Sequence, residues 1–172
     1  MKLFFSKKIM IAVIIVLIVI FFHQIYYNEN YGCSAIMIAK GYSPEKVSLN
    51  INGNWAIVPF TNAPFTFSGE ISVDKLEYTQ VERNVSLDLF FRKSKYMNFY
   101  YSSFLYSAPQ IGTHAGGFLC ILPSKEKFVF LTEHFDSNES KYMVIGPAES
   151  IEEAVAICKE LGLENLLKEY YK

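Results

Sequence analysis

The chain falls into three parts by the spacing of its apolar residues. Residues 9–22 read IMIAVIIVLIVIFF, with no polar interruption. Beyond residue 46, apolar and polar residues alternate, which is the period of a strand with one buried face. After Ser150 the spacing lengthens to three and four, the period of a helix with one apolar face.

The alternating part reads as a series of strands. Val47, Leu49 and Ile51 alternate with Ser48 and Asn50, then Asn52-Gly53 precedes Trp55, Ala56, Ile57 and Val58. Asn-Gly between two apolar runs predicts a hairpin turn, because both residues tolerate positive φ. Phe65, Phe67, Gly69, Ile71 and Val73 form the next strand, and Asp74-Lys75 turns the chain into a strand over 76–81. Val85, Leu87, Leu89 and Phe91 alternate again, and residues 96–106 make one long central strand or two short ones. Residues 117–122 and 128–133 predict a hairpin joined by 123–127, and 142–145 a last strand.

Gly146-Pro147 ends the strands. Ser150 with Glu153 makes a capping box, after which Ile151, Ala154, Val155, Cys158 and Leu161 share one face of a helix. Gly162 suits its C-terminal cap, and residues 164–171 predict one more short helix. The expected fold is therefore α+β and β-rich. It comprises an N-terminal transmembrane helix, then an antiparallel meander sheet with a C-terminal helix packed on it. The meander closes as a curled barrel or folds as a sandwich, and the pattern leaves both open.

The apolar run alone is short of a membrane span and suits a signal peptide. His23 and Gln24 follow it, then Ile25, Tyr26 and Tyr27. From Ile9 to Tyr27 the segment makes about 28 Å of helix, close to the roughly 30 Å bilayer core. Tyr26 and Tyr27 then fall at an interfacial aromatic belt. Lys2, Lys7 and Lys8 precede the run and the next basic residue is Lys40, which places the N-terminus in the cytoplasm. Residues 22–31 contain no small residue for a signal peptidase, so an uncleaved anchor is expected over secretion after cleavage. A lipoprotein reading of Cys33 meets Asn30 where an aliphatic residue is wanted. The expected organisation is an anchor over 1–27, a juxtamembrane segment over 28–45 and an extracytoplasmic domain over 46–172.

Composition narrows the class. Fifteen Phe and twelve Tyr favour strands and exclude disorder for most of the chain. Beyond the three N-terminal lysines the chain holds thirteen basic against seventeen acidic residues, which excludes nucleic acid as a partner. No basic cluster outside the N-terminus points to docking on anionic lipid.

Candidate chemistry is sparse. Cys158 lies on the apolar helix face and Cys120 in a strand-like run, so both read as buried thiols. A Cys120–Cys158 bridge is the alternative in an oxidising compartment, with Cys33 left over. His114, Cys120, Glu133, His134 and Asp136 are potential ligands without a diagnostic spacing, so neither a metal nor a cofactor is expected. The glycine-rich stretch 112–117 matches no phosphate-binding motif and reads as a loop needing positive φ. His114 makes it the leading functional loop. Ser102 and Ser103 have no nucleophile elbow around them, so no catalytic residue is assigned. In the aromatic run Tyr96, Phe99, Tyr100, Tyr101, Phe104 and Tyr106, about half the rings point outward on a strand. The candidate binding residues are His114, His134, Tyr100 and Tyr101.

The expectation is a single-pass, membrane-anchored, non-enzymatic protein. Its lipid contact runs from Ile9 to Tyr27, and its extracytoplasmic domain binds an envelope protein, peptide or wall polymer. An enzyme with a His-centred hydrolytic or metal site around His114 and His134 is the competing expectation. It requires the two histidines to meet in one cleft.

Overall fold

In the computed structural model, alternation along the chain becomes alternation across a wall. It describes residues 7–22, 25–57, 65–80, 87–97, 99–108, 113–122, 124, 126–134 and 141–170. Helix α1 (Lys7–Phe22) precedes eight strands: β1 (Ile25–Ala39), β2 (Glu45–Ile57), β3 (Phe65–Val73), β4 (Leu87–Lys93), β5 (Tyr100–Ala108), β6 (Thr113–Ile121), β7 (Phe128–His134) and β8 (Lys141–Gly146). A 3₁₀ turn (Glu77–Thr79) lies between β3 and β4, and helices α2 (Ile151–Glu160) and α3 (Glu164–Tyr170) follow β8. Each strand pairs antiparallel with the next and β8 pairs with β1, closing an up-and-down barrel. Closure decides between the barrel and the sandwich, and removes most free strand edges.

In β2, Val47, Leu49, Ile51 and Trp55 are buried while Ser48, Asn50, Asn52 and Asn54 are exposed. The inward residues of β1–β8 form one core, dominated by Trp55, Phe65, Phe67, Phe91, Phe104, Phe128 and Phe130. A second core lies outside the wall. There Ala154, Ile157, Cys158, Leu161 and Leu167 of α2 and α3 cover Ile36, Ile38, Cys120, Val129, Met143 and Ile145. The Glu153 N–H donates to Ser150 Oγ at 3.3 Å, and the Glu153 carboxylate accepts from the Glu149 N–H at 2.7 Å, so the capping box forms one residue wider than expected. Ile157 takes the buried place that the sequence pattern gave to Val155, which is exposed. Gly162, at φ 72°, ends α2 as expected.

Four local readings are corrected. Asn52-Gly53 is not a turn but lies inside β2, where Gly53 stands opposite Gly69. A Cβ on Gly53 would come within 2.7 Å of the Phe67 ring, so the glycine makes room for an inward ring. Residues 113–117 of the glycine-rich stretch are strand β6, not a loop. Gly117 serves close approach, because a Cβ there would meet the Leu131 carbonyl oxygen at 1.8 Å and the Phe104 ring at 2.9 Å. In place of the start of a strand over 76–81, Leu76 and Tyr78 turn inward around the 3₁₀ segment. The Thr79 hydroxyl stabilises that turn by donating to the Leu76 carbonyl at 2.7 Å and accepting from the Val73 N–H at 2.8 Å.

The fourth correction concerns the N-terminus. Helix α1 ends at Phe22, and Ile25, Tyr26 and Tyr27 belong to β1, paired with Ile57, Ala56 and Trp55. They complete the barrel rather than the helix, and most of the expected juxtamembrane segment 28–45 is β1. No described helix is long and apolar enough to cross a membrane.

The barrel ends differ. At the far end β1, β3, β5 and β7 finish, and at the near end they begin and β2, β4, β6 and β8 finish. Strands β4 and β5 pair only through Arg92–Tyr101 and Lys93–Tyr100, near that second end. Toward the far end the 3₁₀ segment fills the interior, and Tyr78 Oη lies 3.0 Å from Thr132 Oγ1 on β7.

Two stability outcomes are expected. Gly69→Ala places a Cβ 2.3 Å from the Asn52 carbonyl oxygen, backbone that cannot yield cheaply, and should lower unfolding free energy by about 1–3 kcal/mol in urea titration. Tyr78→Phe should cost about 1 kcal/mol with an unchanged m-value, since it strands the buried Thr132 hydroxyl. A stabilised Gly69→Ala protein would contradict the wall's register.

Candidate functional site

The glycines of β6 thin the wall at one place. Gly116 and Gly117 lack side chains, and α3 packs nearby without covering them fully. A cleft of about 430 Å³ results, bordered by Gly116, Phe118, Leu131, Glu133, Leu166 and Tyr170. Phe118 is half-exposed, and Phe104, beneath Gly117, stacks on Phe130 at 4.6 Å. The polar rim is acidic: Glu133 pairs with Lys141 at 3.2 Å. Burial, then the charges of Glu133 and Glu169, raise the Tyr170 hydroxyl above its ordinary pKa. It therefore stays a neutral phenol. The arrangement offers apolar and aromatic surface edged by the Glu133–Lys141 ion pair.

The residues singled out from sequence distribute as follows. Tyr100 points inward, its ring 4.8 Å from Phe65 in an edge contact, while Tyr101 points outward opposite Arg92. One ring therefore belongs to the core and the other to the surface, as alternation requires. His134 pairs with Ala115, and His114 with Ser107 on the other flank of β6, so the histidines stand one position out of step. The two therefore lie on neighbouring strands, offset by one residue. Asp136 lies outside the described residues. Among the described residues no three His, Cys, Asp or Glu side chains gather as a metal site.

All three cysteines are free thiols. Cys120 and Cys158 are buried between β6 and α2, and burial pushes each up to about 12. Cys33 is half-buried on the inward side of β1, beside the Tyr31 hydroxyl; burial raises it, and the Tyr31 hydrogen bond partly offsets the rise. Sequence reasoning missed the cleft because nothing in Gly116-Gly117 reveals what packs opposite. It also undervalued the short basic run Arg92-Lys93-Ser94-Lys95, which the fold places at the near end.

Thiol chemistry checks this arrangement. Iodoacetamide should modify Cys33 first and reach Cys120 and Cys158 only on unfolding, read by peptide mass spectrometry. Because burial favours the neutral thiol, the stability from Cys120 and Cys158 is present below the unfolded pKa of about 8.5 and lost as pH rises toward 12. The alkaline loss should shrink in Cys158→Ala.

No protein-family model, curated protein or solved structure gives a significant match to this chain, so its function must be argued from the barrel, the cleft and the N-terminal helix.

Proposed function

We propose that this protein is a membrane-tethered, non-enzymatic binding module. In this reading α1 embeds in a membrane with its N-terminus cytoplasmic, and the barrel on the far side engages an envelope protein, peptide or wall polymer. The observation that carries the reading is the state of α1. Its large apolar side chains from Ile9 to Val19 are all about half exposed, around the whole helix. A helix apolar on every side belongs in a core or a bilayer, and none of the barrel's two cores includes it. The tether raises the effective concentration of the barrel toward membrane-bound partners without any new contact. The cleft at Gly116, Phe118, Leu131 and Tyr170 supplies the binding surface, and its lining favours an apolar or aromatic group.

The test combines mass and crosslinking. Full-length protein should stay in carbonate-washed membranes with an intact mass. A photocrosslinking amino acid at Phe118 should give a reproducible adduct that the same probe at Val155, exposed on α2, does not. A mature mass starting beyond residue 22 would end the tether. Absence of an adduct from Phe118 would end the assignment of the cleft.

A further inference from the structure

We propose that the near end of the barrel, the end that follows α1, lies against a lipid surface bearing anionic headgroups. This deepens the tethered reading and rests on it. Residues 23 and 24 alone separate Phe22 from Ile25, so no more than about 11 Å of chain joins helix to wall. Whatever holds α1 holds this end of the barrel beside it.

The outer surface there has the composition of an interface. The ladder sets Tyr26 beside Ala56, Ala56 beside Thr66 and Thr66 beside Phe90 across four strands; Ala56 is buried and Thr66 half-buried, and Tyr26 and Phe90 are the exposed ends of the row. Tyr26 is 69% exposed and Phe90 65%. Two positions beyond Phe90, Arg92 stands opposite Tyr101, which is 38% exposed. The β4–β5 connection adds Tyr96, 89% exposed, and the exposed Met97. Isolated exposed rings need no explanation, but four of them (Tyr26, Phe90, Tyr96 and Tyr101) at the end bearing an apolar helix do. Aromatic residues with an apolar body and polar tip concentrate where a bilayer meets water.

Charge selects the surface. Arg92, Lys93 and Lys95 are exposed among these rings, and no acidic residue occurs between positions 89 and 125. Four of the other described lysines are neutralised: Lys75 by Glu45, Lys141 by Glu133, Lys127 by Glu160 and Lys46 by Glu149. No described carboxylate pairs with the three near-end cations. Unpaired cations among exposed rings complement anionic headgroups, and their contribution is screened by salt. The net acidity of the domain does not oppose this, because the field near a surface is set by charges within about one Debye length.

The experiment places tryptophan at either end of the full-length protein, reconstituted in vesicles of phosphatidylcholine and phosphatidylglycerol with brominated acyl chains. Tyr96→Trp reports the near end and Tyr42→Trp, also exposed, the far end; the wild-type signal of the buried Trp55 is the background. The expected result is quenching of Tyr96→Trp several-fold greater than of Tyr42→Trp. Arg92→Gln, Lys93→Gln and Lys95→Gln together, or raised salt, should remove most of that difference while the protein still floats with the vesicles. Equal quenching at the two ends in protein that floats would overturn the docking and leave the tether standing. Quenching unchanged by the triple substitution would overturn the role of charge. Protein that fails to float would overturn the tether and the docking together.

Discussion

An eight-stranded barrel has an interior just wide enough for side chains, and among its described residues this one buries eight large aromatic rings there. The rings fit because glycines stand across from them. Phe104 pairs with Gly117 and Phe128 with Gly146, and in each case the ring lies within 3 Å of where a Cβ would be. Phe67 lies over Gly53 and Gly69 together. Each ring covers backbone that a glycine would otherwise leave bare, which recovers packing lost with the missing side chain. Close packing in a core allows neither a methyl more nor a ring less without cost.

That constraint reaches the rest of the molecule. Because Gly53 belongs to the wall, β2 runs unbroken from Glu45 to Ile57 and holds β1 and β3 along its length. Trp55 can then sit among Phe65, Phe67 and Phe91, with ring centroids 4.8–5.7 Å apart. Strands β4 and β5 share only two ladder pairs, and the 3₁₀ segment brings Leu76 and Tyr78 into the interior. The cleft at Gly116-Gly117 arises from the same economy of volume. A wall position with no side chain serves the ring inside it and leaves a depression outside, which α3 only partly covers.

What the sequence made legible was whatever depends on neighbours close in the chain. Alternation located β2–β8 but not β1, and the hairpin of Phe128 with Ile121 was readable from two apolar runs and a turn-rich gap. Ser150, Glu153 and Gly162 marked α2, since caps are local chemistry. What was not legible depends on partners distant in the chain. Asn52-Gly53 has the local preference of a turn, but opposition to Gly69 and the Phe67 ring overrides it. The apolar run of α1 likewise reads as one helix through Ile25, Tyr26 and Tyr27, but β2 offers those residues a ladder. For the candidate site, alternation required one of Tyr100 and Tyr101 to face inward without saying which, and the cleft needed α3 to be in place.

The shortened helix and the aromatic end of the barrel bear on each other. Sixteen residues make about 24 Å of helix, short of a bilayer core of roughly 30 Å. An apolar segment that is too short is accommodated where the membrane thins locally or where flanking residues anchor in the interface. Here the flank is not a flexible linker but the first strand of a closed barrel, joined by two residues. On the tethered reading, the residues that strand formation withdraws from the helix are not lost to the interface. Tyr26 returns on the outer surface of β1, in one row with Phe90 and near the cations of β4. A rigid wall presenting rings and cations at fixed spacing resists tilting in a way that two tyrosines at a helix end do not, so length removed from the helix is offset by orientation imposed on the barrel.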